Sequence, residues 1–139
     1  MNDVCKKIQT LPIELVFAIK SYLHPKIFVF TNKQNYYNSH LLLRDFIKNY
    51  EFFIREMIRR DNYFVFETIL RENFNRFLEI KDFEYKNLVF KNYIYFLNHY
   101  CIENYSNNCF NIINNLNMQH GFGKNQHKKN IVKHIRWNN

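Results

Sequence analysis

The chain has 139 residues, 47% of them hydrophobic and 19% aromatic, and a formal net charge of +8. That apolar content excludes a disordered chain. The length accommodates one domain, or one small module with a helical body, whose core can bury roughly two-thirds of the unfolded surface. No stretch approaches the ~18 consecutive apolar residues of a membrane span, so no membrane segment is expected.

In chain order, residues 4–9 read as a short lead-in turn, and residues 12–23 as the first helix. Pro12 sits where a proline costs nothing, because a first-turn N–H has no intrahelical partner. Glu14 complements the positive end of the helix dipole. Leu11, Leu15, Ile19 and Leu23 recur every four residues as an apolar stripe, and Pro25 disfavours helical geometry at His24. The run Ile-Phe-Val-Phe at 27–30 is too short for periodicity to decide between helix and strand. Thr31-Asn32 offers an N-cap for a helix from about 33 towards 48.

A helix over 51–60 follows, with Phe53, Ile54, Met57 and Ile58 inward. Asp61-Asn62 is expected to cap a segment over 63–71, and 74–80 reads as a short helix or turn. Asp82 is expected to start a long helix through Leu88, Tyr93, Phe96 and Cys101. The last helix spans 107–116. Gly121-Phe122-Gly123 holds both glycines of the chain and reads as a hinge. The words Asn62-Tyr-Phe-Val-Phe and Asn92-Tyr-Ile-Tyr-Phe echo one another, but two copies make no solenoid. The expected fold class is therefore all-α: a module at 8–49, an irregular helical bundle at 50–117, and a basic tail at 118–139.

The order Leu11-Pro12, Glu14-Leu15, Ile19, Tyr22-Leu23, Pro25 in one register resembles the opening of an F-box, over residues 8–40. The resemblance implies a three-helix start that docks on a Skp-type adaptor of a cullin ubiquitin ligase. It carries partner binding onto Leu11, Pro12, Leu15, Ile19, Leu23 and Pro25. The family's third element has an echo in Thr31-Asn32-Lys33-Gln34-Asn35-Tyr36, where no tryptophan stands. The resemblance gives residues 41–117 the place of the part that recruits a target. The 22 asparagines and the single alanine reflect an AT-biased genome, which with the F-box-like start suggests a large DNA virus of protists or an AT-rich protist. The expected location is intracellular, in the host cytoplasm or nucleus for a viral protein, or inside a virion.

The positive charge is concentrated in the tail. Lys124, Lys128, Lys129, Lys133 and Arg136 stand there with no acid, while the other residues hold 15 basic and 12 acidic groups. These five residues and Trp137, the only tryptophan, are the raw material for phosphate contact and base stacking. The same tail reads equally as a last strand or helix docked by Ile131, Ile135 and Trp137. This gives an alternative function, a structural or nucleic-acid-associated protein.

Three cysteines, Cys5, Cys101 and Cys109, suit free thiols in a reducing compartment. His99, Cys101, Cys109 and His120 lack the tight pair spacing of a zinc site, and a Cys–His dyad has no flanking motif. Gly121-Phe-Gly-Lys124 lacks the spacing of a phosphate loop. Asp3, Asp45, Asp61 and Asp82 read as caps or exposed charges. No cofactor, metal or enzymatic activity is expected, and the primary functional expectation is an F-box-like protein-interaction adaptor.

Overall fold

The computed structural model describes residues 10–121 and 131–134. The chain divides into two compact units, Met1–Lys48 and Asn49–Asn139.

The first unit contains α1 (Ile13–Tyr22), α2 (Pro25–Val29), α3 (Lys33–Ser39) and a 3₁₀ helix (His40–Phe46). The Pro12 carbonyl accepts from the amides of Leu15 and Val16 (3.0 and 3.1 Å), so helical bonding begins at the proline. His24 closes the turn into α2: its Nδ1 accepts from the Lys26 amide at 3.2 Å, and its carbonyl from the Ile27 amide at 2.8 Å. The ambiguous Ile-Phe-Val-Phe run thus falls largely in a short helix. Asn32 caps α3, its Oδ1 accepting from the Asn35 amide at 2.8 Å.

The helix expected over 33–48 is corrected to two pieces. Ser39 leaves helical geometry at φ −133°, and the His40 ring nitrogen sits 3.1 and 3.2 Å from the Tyr36 and Tyr37 carbonyl oxygens. The His40 backbone amide still closes on the Tyr36 carbonyl, while its ring lies against the Tyr37 carbonyl that the next α-helical bond would use, and the chain goes on as the tighter 3₁₀ form. Among the described residues, Val29, Tyr36 and Leu43 are the buried apolar side chains of this unit. Tyr36 is stacked against Phe30 at 5.9 Å and His40 at 5.2 Å.

The second unit contains α4 (Tyr50–Arg59), α5 (Tyr63–Glu79), β1 (Lys81–Tyr85), β2 (Leu88–Asn92), α6 (Tyr93–Glu103), α7 (Asn107–Gln119) and β3 (Ile131–His134). Asn49 caps α4 through the Phe52 amide at 2.9 Å, and α4 buries Ile54, Met57 and Ile58. The segments 63–71 and 74–80, expected to be separate, form one helix. No glycine or proline interrupts them, and Ile69, Leu70, Phe74 and Phe77 keep one face buried across the join.

The chain is mostly helical, with a small antiparallel sheet of order β1-β2-β3 that the all-α expectation omitted. Residues 82–92 are the correction, being a hairpin and not the first half of a long helix. Asp82-Phe83-Glu84-Tyr85 alternates polar and aromatic residues with period two, and Phe83 and Tyr85 are the half-buried positions. A two-residue turn at Lys86-Asn87 reverses the chain, with Lys86 at φ 53° and Tyr85 opposite Leu88. Asn92 then ends β2 and caps α6, its Oδ1 accepting from the Tyr95 amide at 3.1 Å. The two echoing words 30 residues apart are two helix starts, α5 and α6.

Helix α6 is the centre of the second unit. Eight of its eleven residues are buried, as befits a helix that is apolar on all sides. Its Phe96 is wholly buried and lies 4.5 to 5.9 Å from the rings of Phe83, Tyr85, Phe90, Tyr93 and Tyr100. The Arg55 guanidinium lies 5.2 Å from both the Tyr85 and Phe96 ring centres, a cation–π arrangement held by an ion pair to Glu51.

Two helix ends close through non-glycine residues in the left-handed region. After α4, Asp61 (φ 48°) lets the Asn62 amide reach the Met57 carbonyl (2.9 Å) and its own amide reach Ile58 (2.8 Å). After α6, Tyr105 (φ 56°) does the same, with Ser106 to Cys101 (2.9 Å) and Tyr105 to Ile102 (3.2 Å). Both are Schellman closures. Asp61 also acts at a distance: its carboxylate accepts from the amides of Asn108 (3.3 Å) and Cys109 (2.9 Å), at the start of α7. It therefore caps α7 and not, as expected, the helix that follows it.

Candidate interaction surface

Helix α1 carries two of the six residues assigned to partner binding, Leu15 and Ile19, and the other four flank it. Val16, Ile19 and Leu23, spaced by three and four, form its half-buried strip. Leu15 is 51% exposed, and Leu11 and Pro12 are exposed at the helix entry. Pro25 begins α2. The proposed stripe is thus split, with Ile19 and Leu23 turned partly inward and Leu11 and Leu15 outward.

The apolar surface is wider than a four-residue stripe suggests. Ile13 and Phe17, one turn apart, are 58% and 63% exposed on one flank of the half-buried strip, and Leu15 and Tyr22 stand on the other. Ile13, Phe17 and Tyr22 fall outside the single four-residue stripe of Leu11, Leu15, Ile19 and Leu23. Their signal was an apolar arc wider than one stripe, with Glu14 and Ser21 left on the opposite face. Ile27, Leu41, Leu42 and Phe46 add further exposed apolar side chains within the same unit.

Of the assigned tail residues, Lys124, Lys128, Lys129, Arg136 and Trp137 lie outside the described residues, as do Phe122, Gly123 and Ile135. Residues 131–134 form β3, antiparallel to β2, with Leu88 opposite His134, Val89 opposite Lys133 and Phe90 opposite Ile131. Lys133 therefore sits within a paired strand. Gly121 adopts φ 79° directly after α7, its amide donating to the Met118 carbonyl at 3.1 Å. It is the residue that closes the helix.

Of the residues weighed for chemistry, Cys109 lies beside both Cys101 and Asp61. Cys101 and Cys109 are free and buried, and burial pushes both thiols far above the ordinary range, which makes them poor nucleophiles. His99 lies 5.1 Å from the Phe90 ring, and His120 stacks on Phe74 at 4.1 Å. Among the described residues no three His, Cys, Asp or Glu side chains are grouped to hold a metal ion. No described helix is long and apolar enough to cross a membrane.

No protein-family model matches this chain, and no curated protein or solved structure matches it.

Proposed function

We propose that this protein is a non-enzymatic interaction protein, an F-box-like adaptor. Its first unit docks through α1 on a Skp-type adaptor of a cullin ubiquitin ligase, and its second unit takes up the target. The observation that carries this reading is the exposed apolar surface of α1, in the same segment that holds the Leu11-Pro12 to Pro25 register. A ten-residue helix falls below the ~12–15 residues at which isolated helices become even marginal. Among the described residues, α1 has a half-buried strip at Val16, Ile19 and Leu23. Covering one large apolar side chain completely is worth roughly 1.5–3 kcal/mol, so a partner that covers Ile13, Leu15 and Phe17 gains a substantial driving force.

The test is co-purification of the full chain with a Skp-type adaptor. The expected result is a stable complex that Leu15→Glu weakens by about tenfold or more, with the helical circular-dichroism signal unchanged. A complex that withstands Leu15→Glu removes α1 as the docking face.

The second reading is a structural or nucleic-acid-associated role through the basic tail. It draws on the charge of Lys124, Lys128, Lys129, Lys133 and Arg136. Phosphate-driven binding weakens steeply with salt, so binding to DNA or RNA that is insensitive to salt excludes it.

A further inference from the structure

The second unit holds a cleft of about 270 Å³. Helix α4 lends it Glu51 and Ile54, α5 lends Arg76 and Phe77, β1 lends Phe83 and α6 lends Tyr93. An apolar cavity of ~150 Å³ already takes a benzene ring, so this one has room for one or two fused rings with a polar substituent.

Three features of the lining define what it would hold. The first is its aromatic wall. Phe77 and Phe83 meet the Tyr93 ring edge-on at 5.0 and 4.8 Å, and Ile54 adds an aliphatic side. The second is the Tyr93 hydroxyl. The residue is 3% exposed, and among the described residues its buried hydroxyl has no hydrogen-bond partner. Burial raises its pKa, with the nearby Glu51 carboxylate adding to the effect, so it is a neutral donor. A buried hydroxyl without a partner leaves its desolvation uncompensated; it is sealed from solvent, so an acceptor on a ligand would relieve that by displacing the adjacent wall of the cleft.

The third feature is charge. Glu51 is engaged by Arg55, whereas Arg76 is exposed and makes no ion pair among the described residues. The uncompensated charge on the cleft is therefore positive, on the side chain best suited to a carboxylate.

We propose that this cleft binds a small aromatic carboxylate, its ring against Phe77 and Phe83, its carboxylate at Arg76, and the Tyr93 hydroxyl donating to it. The site uses no residue of the first unit, so it stands or falls apart from the adaptor reading.

The test is titration of the full chain with 2-naphthoate, followed by amide chemical shifts in two-dimensional NMR. Saturable shifts up to about 1 mM ligand are expected at residues 73–80 and 93. Affinity should fall about tenfold in Arg76→Gln and with the neutral analogue 2-naphthalenemethanol, and about threefold in Tyr93→Phe. Arg76 is exposed and Tyr93→Phe keeps the ring, so both variants retain the packing. Absence of saturable shifts, shifts confined to other residues, equal binding of the neutral analogue, or unchanged affinity in Arg76→Gln would each overturn the proposal.

Discussion

The two units spend their apolar residues in opposite ways. Among the described residues, the first buries only Val29, Tyr36 and Leu43 while exposing ten large hydrophobic side chains. The second buries 22 hydrophobic residues, arranged around α6, and exposes seven. A folding core concentrates apolar area inward because each buried group offsets chain entropy. The second unit meets that demand by itself. The first does not, which is the physical reason to look for its partner before looking for its chemistry.

The comparison can be broken most directly at the core. Phe96→Ala should destabilise the second unit by about 3–5 kcal/mol, read as a shift in the urea midpoint. A loss below ~1 kcal/mol would show that α6 does not organise the unit. A smaller effect is expected at Asp61, the residue that joins the end of α4 to the start of α7. Burial alone would raise its pKa, but the hydrogen bonds from Cys109 and Asn108 together outweigh burial and hold it below the ordinary value. A lowered pKa stabilises the folded state above the unfolded value near ~3.9, and that contribution is lost as pH falls through the folded value. Asp61→Asn, which tolerates the same positive φ, should cost about 1 kcal/mol at pH 7. It should also flatten the loss of stability in urea titrations below about pH 4.

Tyr105→Gly should act in the other direction. Tyr105 is 86% exposed and holds a left-handed φ for the α6 closure, so glycine there should gain roughly 1 kcal/mol in thermal unfolding. The smallest effect sharpens the contrast from the side of the first unit. Leu15→Ala should change stability by less than about 0.5 kcal/mol in the same assay, because its side chain is mostly in water. A large loss would mean that Leu15 belongs to a core after all.

Much of the helical content was legible because its signals are local. Pro12, Asn32 and the apolar faces of 51–60 and 107–116 each announce a helix within one or two turns. The hairpin is hard to see because its period-two signal runs for only four residues, and Tyr93 and Phe96 just beyond it, three apart, match a helical spacing. The break at Ser39 depends on the His40 ring reaching carbonyls, and no period records that. Asp61 looked like a cap and is one, yet its target amides at Asn108 and Cys109 are 47 and 48 residues away. The cleft was invisible for the same reason. Phe77, Phe83 and Tyr93 read as core in any local window, and only the fold sets them with Arg76 around one cleft.

The pairing of β3 with β2 has a consequence for synthesis. The β2 strand is complete once Asn92 is made, but its neighbour at Ile131–His134 comes some forty residues later in the chain. At translation rates of about 5–20 residues per second, Leu88–Asn92 spends seconds with one backbone edge unpaired. That edge carries Leu-Val-Phe, an apolar template for another chain. A nascent or truncated form lacking 131–134 is therefore where aggregation should begin, and a chaperone that shields Leu88–Phe90 would act in that interval.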